Sequence, residues 1–411
     1  MEKTTNRALP LVAGAVIQLC IGIIYIWSIF KAPFIAYYSN YVSAEFATTC
    51  SSLTYSLMLA FFVAGIVLGG RINDKKGPRP VVLAGGMFFF AGIFLSFICA
   101  TFLPYQPWLI CIFYGCLAGF GVGAAYTSTI SCAQKWYADK KGFATGVIVC
   151  AFGASTVVFT PLVNTLLSSF DVPQTFLILS ILFLAIIMVF AWFIKNPSAE
   201  YIGQLSPNTA QAARQKQYTP GEVLRTKSFW IIFLCMLMAN PAYFILNPMF
   251  KGLAEARGLM ETAALASVMV TGIASTAGRL IAPWLSDRLG RRQVASLLFI
   301  ITIAALIFLI FAQGYVYMLL IALIAFGFGG GAGLYPVISA EYFGTRHSAT
   351  NYGMIMVSFA VSALVFPTVS SLTAENGLPT AATFIIPIVV SVLGLVCTFF
   401  LRPPKALQQD K

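Results

Sequence analysis

The stretch GRINDKKGPR at residues 70–79 has a second version in the chain, PWLSDRLGRR at residues 283–292. Each copy follows an apolar run and carries an aspartate, Asp74 or Asp287, then a basic residue, a glycine and an arginine. The two aspartates are separated by about half of the 411-residue chain. This spacing predicts two halves built from one repeated unit.

Apolar runs dominate the sequence on both sides of these copies. The chain is 59% hydrophobic and only 9% charged, whereas a soluble domain carries roughly 25% charged residues. A helix of about 20 apolar residues crosses a bilayer, and the sequence predicts twelve such spans, which makes it an all-α membrane protein. The predicted spans are 10–35, 52–70, 80–101, 107–134, 142–167, 174–194, 228–250, 262–286, 294–312, 315–341, 351–372 and 380–401.

The positive charges fall mainly on one side of the predicted membrane. With the N-terminus placed inside, all but four of the 25 Lys and Arg lie on the side of the termini. The exceptions are Lys31, Lys251 and Arg257 on the opposite side, and Arg279 within a span. Because Lys and Arg accumulate in cytoplasmic loops, both termini are predicted to be cytoplasmic, in a multi-pass protein of the inner membrane. The net charge of +12 is then a topology signal, and no nucleic-acid partner is expected.

The longest polar stretch, residues 195–227, lies at the centre of the chain. It divides the sequence into a predicted N-terminal six-helix bundle, 1–194, a cytoplasmic linker, and a C-terminal six-helix bundle, 228–411. The repeated loop pattern G-x-x-x-D-[RK]-x-G-x-R resembles the signature loop of the major facilitator superfamily. The resemblance implies the major facilitator fold, in which two six-helix bundles related by a parallel repeat have a substrate site between them near the midplane.

The two signature loops supply a set of predicted gating residues. An acid at the end of one helix can interact with the positive N-terminal end of the next helix. The alternative, that the loops only fix orientation in the membrane, is left open by the sequence. Pro283 stands where the first copy has Gly70, so close helix approach is favoured more at the first loop. The predicted gating set is Gly70, Asp74, Lys75, Gly77, Arg79, Asp287, Arg288, Gly290 and Arg292.

One arginine, Arg279, lies inside an apolar run, ASTAGRLIAPW at residues 274–284. Its guanidinium stays protonated at physiological pH, and a charge at such depth is costly and usually functional. All 13 Asp and Glu fall in loops, tails or span ends, so a permanent internal pair with a carboxylate is not expected. Pairing with backbone carbonyls is the alternative. We favour a substrate anion as the counter-ion.

Polar side chains in four other spans are candidate partners for such an anion. Hydroxyl groups and an arginine fork bind a carboxylate through charge-assisted hydrogen bonds. Prolines around Asn240 also predict a broken or bent seventh helix. The alternative for each tyrosine is a packing aromatic. The candidate substrate-binding residues are Arg279, Tyr126, Tyr335, Tyr25, Gln18 and Asn240.

A narrower resemblance covers most of the chain. The segments at 117–146, 278–292 and 333–353 resemble the oxalate/formate antiporter and monocarboxylate transporter branch of the superfamily. That resemblance implies that Arg279 holds the substrate carboxylate and that Tyr25, Tyr126 and Tyr335 line the pocket.

Two departures from that branch affect the predicted cargo. The oxalate transporters have a lysine in span 11, which this chain lacks, and the animal monocarboxylate transporters have an aspartate where Ser275 stands. One buried cation favours a monoanion, because a second negative charge in low dielectric would be uncompensated. Lactate, pyruvate, formate and acetate are the expected class. The missing aspartate leaves open whether a proton travels with the substrate or another anion returns.

These observations predict a monomeric secondary transporter that moves a small organic anion across the lipid bilayer. An oxalate/formate-type dicarboxylate antiporter is the alternative, and a membrane carboxylate receptor is a remote one. An enzyme is not expected, because the span interiors contain no Asp, Glu or His for catalysis. No cofactor or metal site is expected either, since the nine cysteines form no CxxC pair.

Overall fold

The structure, a computed structural model, describes residues 7–198, 201, 216–372, 374–375, 378–379 and 381–404. This part of the chain contains twelve helices long and apolar enough to cross a membrane, which confirms the predicted all-α membrane fold. Each predicted span coincides with one helix to within about four residues at its ends, except that α2 begins eight residues before the predicted span 52–70 and ends six residues after it. The helices are α1 Ala8–Tyr38, α2 Ala44–Lys76, α3 Pro78–Phe102, α4 Trp108–Trp136, α5 Lys141–Ser169, α6 Val172–Ala191, α7 Lys227–Leu246, α8 Glu261–Leu289, α9 Arg291–Leu309, α10 Gly314–Phe343, α11 Ser348–Leu372 and α12 Ala381–Phe399.

Shorter elements join these helices. A single helical turn, Pro220–Leu224, precedes α7, and the 3₁₀ turn Asn247–Met249 and the helix Phe250–Ala256 follow it. Two-residue strands, Ala374–Glu375 and Leu378–Pro379, pair antiparallel between α11 and α12.

The helices divide into two compact units. The first comprises Met1–Ala138, Ala151–Ala213 and Arg346–Met354, and the second comprises Asp139–Cys150, Arg214–Thr345 and Ile355–Lys411. The start of α5 therefore belongs to the second unit and the start of α11 to the first. The division by sequence order, at 194 and 228, stays a prediction.

Helix α7 is broken, as its prolines predict. Its regular part ends at Ala239, and a second segment begins at Pro241. Proline lacks the N–H that would bond to the carbonyl four residues earlier. Ser362 of α11 replaces that donor, because its hydroxyl donates to the Leu237 carbonyl at 3.0 Å. Helix α1 is also interrupted, by a 3₁₀ segment at Gly22–Ile26.

Two glycines of α4, Gly119 and Gly121, let neighbouring helices approach closely within the first unit. A Cβ atom added at Gly119 would lie 2.7 Å from the Met58 carbonyl oxygen of α2, and one at Gly121 would meet the Gly85 carbonyl of α3. Only a residue without a side chain fits at such contacts.

Candidate functional site

Arg279 lies inside α8 and is buried, with 4% of its surface exposed. A Cβ atom at Gly333 of α10 would lie 2.6 Å from the Arg279 carbonyl oxygen, and one at Gly329 would overlap the Ser275 carbonyl. Gly329 and Gly333 thus let the backbones of α8 and α10 touch at the level of the arginine. This contact fixes the position of the Arg279 backbone, from which the guanidinium side chain extends.

The start of α5 approaches the same turn of α8. A Cβ atom at Gly146 would lie 2.9 Å from the Leu280 carbonyl oxygen and 3.4 Å from that of Arg279. Cys150, one turn further along α5, lies within electrostatic range of the Arg279 charge. Within the second unit, α5 and α10 therefore both pack against the turn of α8 that carries Arg279.

Tyr335 is also in the second unit, on α10, and is 2% exposed. Its ring lines a small cavity that is bounded mainly by α9 and α10 and is reached by Ala239 of α7. Tyr335 also lies within electrostatic range of Cys235 on α7 and Cys397 on α12. The predicted substrate role of Tyr335 stays a prediction.

Asn240 lies at the break in α7 and is 5% exposed. Its side-chain Nδ2 donates to the Met236 carbonyl at 2.7 Å, one turn earlier in its own helix. The amide nitrogen therefore stabilises the helix end before Pro241, and the predicted substrate contact of this residue is untested.

In the first unit, Gln18 of α1 connects to α4. Its Nε2 donates to the Thr129 hydroxyl at 2.7 Å and to the Tyr126 carbonyl at 3.1 Å. Gln18 is completely buried, and its Oε1 has no hydrogen-bond partner within the described ranges. Gln18 thus fixes the backbone of the turn that carries Tyr126.

Tyr25 and Tyr126 share one aromatic neighbour, Phe152 of α5. The ring centroids are 5.3 Å apart for Tyr25 and Phe152, and 4.9 Å apart for Tyr126 and Phe152. Phe62 of α2 completes the cluster, 5.3 Å from the Tyr126 ring. Phe62 and Phe152 are absent from the residues predicted for the site, because a chain with 36 Phe gives no signal that selects them. The only related sequence signal is Gly22, a small residue in α1. In the structure it lets α1 approach α5 at Phe152.

The first signature loop binds the start of α11, within the first unit. One carboxylate oxygen of Asp74 accepts from the Thr350 backbone N–H at 2.9 Å and from the Thr350 hydroxyl at 2.6 Å. Gly70 allows the approach, since a Cβ atom there would lie 2.8 Å from the Ala349 carbonyl. Asp74 therefore caps the N-terminal turn of α11 with a negative charge.

The second signature loop binds the start of α5, within the second unit. Asp287 accepts from the backbone N–H groups of Gly142 at 3.0 Å and Phe143 at 2.9 Å. Arg291 pairs with Asp287 at 2.7 Å and with Glu341 of α10 at 2.6 Å. The second cap is thus held in an ion-pair network.

These contacts correct the expected partner of each aspartate. The sequence predicts that each acid interacts with the N-terminal end of the next helix. Asp74 instead accepts from the N-terminal turn of α11, and Asp287 accepts backbone N–H bonds from α5 rather than from α9. Helix α3 begins with Pro78, which has no N–H to donate. At α9 the contact with Asp287 is an ion pair with the side chain of the first residue, Arg291.

The other loop residues have separate places. Gly77 and Gly290 end α2 and α8 with φ of +87° and +96°, a conformation that favours glycine. The arginines lie over aromatic rings: Arg79 over Trp192 at 4.7 Å, Arg288 over Trp284 at 4.6 Å and Arg292 over Phe399 at 5.4 Å. Lys75 is exposed. A gating role for this set stays a prediction.

Fold and loops together define a twelve-helix membrane transporter, and sequence comparison gives the family. The Major Facilitator Superfamily profile matches residues 12–288 and 232–411. The chain belongs to the Major Facilitator Superfamily.

Three relatives indicate the part of the family that the chain resembles. It is 26% identical to the uncharacterised MFS-type transporter YhjX of Escherichia coli (strain K12), over 87% of this chain and 86% of that protein. It is 26% identical to the oxalate:formate antiporter of Oxalobacter formigenes, over 95% of this chain and 90% of that protein. Monocarboxylate transporter 13 of Rattus norvegicus is 24% identical, over 84% of this chain and 77% of its own length.

Solved structures share the fold at low identity. The E. coli fucose:proton symporter FucP matches with a TM-score of 0.70 at 13% identity, over 97% of this chain and 100% of that chain. The proton:xylose symporter XylE also gives 0.70, at 17% identity, over 97% of this chain and 96% of that chain. These structures confirm the predicted fold, and the profile match confirms the predicted superfamily membership.

Proposed function

We propose that this protein is a secondary active transporter of small monocarboxylate anions such as lactate, pyruvate or formate. It would work by alternating access in the cytoplasmic membrane, with both termini in the cytoplasm. The distribution of Lys and Arg supports this orientation. The relatives named as oxalate:formate antiporter and monocarboxylate transporter support the carboxylate class.

One observation carries the proposal: a permanently charged guanidinium is buried inside a membrane helix. Arg279 is 4% exposed, and the backbones of Gly146 and Gly333 pack against its turn. A charge in such a low-dielectric place attracts an anion far more strongly than one in water. The planar fork of arginine can then bind both oxygens of a carboxylate.

The single positive charge of Arg279 is the basis for proposing a substrate with a single negative charge. Arg279 is the only Lys or Arg that the sequence places within a span away from its ends. A monocarboxylate neutralises this charge, whereas a dianion would leave one negative charge to be desolvated. Tyr25, Tyr126, Tyr335, Gln18 and Asn240 are proposed to shape the substrate path around the carboxylate.

Uptake of radiolabelled lactate, pyruvate and formate into proteoliposomes tests the proposal. Arg279→Gln removes the charge but keeps a hydrogen-bonding side chain, and we expect uptake to fall at least about 100-fold, the loss of two charge-assisted hydrogen bonds. Arg225→Gln, at an exposed linker position, is the matched control and should transport normally. Unchanged uptake by Arg279→Gln would remove the proposed site.

A dicarboxylate exchanger is the second candidate. The similarity to the oxalate:formate antiporter extends over 95% of this chain and favours it. In liposomes loaded with formate, such a protein would take up oxalate much faster than lactate or pyruvate.

A further inference from the structure

Two free cysteines meet in the first unit, near the beginnings of α2 and α4. The Cys111 thiol donates to the Cys50 carbonyl at 3.3 Å, and the two thiols lie close enough to interact. Thr54 connects to both residues, because its hydroxyl lies 2.8 Å from the Cys50 carbonyl oxygen and 3.4 Å from the Cys111 sulfur. The two thiols are therefore held beside each other by helix packing.

The surroundings of this cysteine pair are dry. Cys50 and Cys111 are each 3% exposed, and Cys99 of α3 is nearby with 5% exposed. Tyr38 is completely buried, lies within electrostatic range of all three thiols, and its hydroxyl has no hydrogen-bond partner in the described part of the chain. A bond formed here would be shielded from water-soluble reductants.

We propose that Cys50 and Cys111 are a disulfide-forming pair that cross-links the outer ends of α2 and α4. The oxidant is an external disulfide. The Cys50 thiolate attacks one of its sulfurs and releases one thiol, and the Cys111 thiolate then attacks the mixed disulfide and releases the second. One disulfide bond forms, one breaks, and the two cysteine protons pass to the two released thiols.

The cross-link restrains helices within one compact unit, since both residues lie in Met1–Ala138. It closes a loop between positions 61 residues apart, and closing a loop of this length lowers the entropy of the unfolded chain. We therefore expect higher stability with transport unchanged. The orientation proposed above places this end of α2 and α4 outside the cytoplasm, where disulfides persist.

The test treats the purified full-length protein with 4,4′-dithiodipyridine, a membrane-permeant disulfide. A pair that closes on itself releases two thiopyridones and retains no probe, whereas an isolated thiol releases one and keeps the other as an adduct. We expect mass spectrometry to find peptides joined through Cys50 and Cys111. We also expect the treated protein to melt several degrees higher than the untreated protein.

The matched control is the Cys235→Ala/Cys397→Ala variant, because Cys235 and Cys397 also approach within electrostatic range of each other, in the second unit. This variant should keep the cross-link and the melting shift, and Cys50→Ala should lose both. Separate probe adducts on Cys50 and Cys111 of the wild-type protein would overturn the proposal. The wild-type result needs no variant to fold.

Discussion

Helix α8 carries a buried cation, Arg279, in its interior and ends beside a cluster of ion pairs. The residues around the positive charge differ between the helix interior and the helix end. At the end, Asp287 lies 2.7 Å from Arg291, which lies 2.6 Å from Glu341. At Arg279 the neighbours include glycine backbones and the Cys150 thiol. The charge of Arg291 is neutralised by carboxylates of the same chain, and these ion pairs hold helices in place. At Arg279, by contrast, we propose that the permanent charge binds a carboxylate from outside the protein.

The same conservative substitution should therefore act differently at the two places. Arg279→Lys keeps the charge but loses the planar fork, and we expect uptake in proteoliposomes to fall about 10- to 100-fold, the value of one charge-assisted hydrogen bond. Arg291→Lys keeps a positive charge beside Asp287 and Glu341 but loses the guanidinium fork that joins them. Because Arg291 is not proposed to contact the substrate, uptake should change by no more than about twofold. Equal losses at the two positions would break the comparison.

Asp287→Asn should give the largest loss of stability among the loop variants. It removes the charge that caps α5 and the partner of Arg291, so we expect the free energy of unfolding to fall by about 2 kcal/mol. Thermal denaturation of the purified protein measures this. Asp171→Asn is the control, because Asp171 precedes α6 without a side-chain cap and should leave the melting temperature unchanged.

Asp74→Asn should cost less, about 1 kcal/mol, because this cap is made by hydrogen bonds to Thr350 and has no arginine pair like that of Asp287 among the described residues. The same melting experiment checks the order. A larger loss for Asp74→Asn than for Asp287→Asn would show that the ion-pair network adds nothing to the second cap.

Thr350→Val should have the smallest effect, about 0.5–1 kcal/mol, since only the hydroxyl bond to Asp74 is lost and the backbone bond remains. Thr350→Ser keeps the hydroxyl and should melt like the wild type. Valine and serine variants with equal melting temperatures would mean that the hydroxyl contributes nothing.

Much of the fold followed from one-dimensional signals. Apolar runs predicted the twelve spans, the repeated loops predicted the superfamily, and prolines predicted the break in α7. These properties depend on length, hydrophobicity and local backbone chemistry, which the sequence displays directly.

Contacts between distant segments could not be predicted in the same way. Pro283 made close helix approach less expected at the second loop than at the first, yet the helices touch there because Gly142 of α5 supplies the space. In the first loop the glycine, Gly70, is on the loop side and Ala349 faces it. At the first contact the loop supplies the glycine, and at the second contact the facing helix supplies it. Only the folded chain reveals which residues face each other. Phe62 and Phe152 could not be predicted for the same reason, because their contacts with Tyr126 join distant segments.

The central claim, that one buried cation selects a monoanion, is tested most directly by thermal-shift titration of the wild-type protein and Arg279→Gln with formate, lactate, pyruvate and oxalate. Stabilisation grows with ligand concentration over Kd. We predict that the monocarboxylates stabilise the wild type more than oxalate does, and that Arg279→Gln responds to none of them. Oxalate stabilising the wild type as much as or more than the monocarboxylates would contradict the claim.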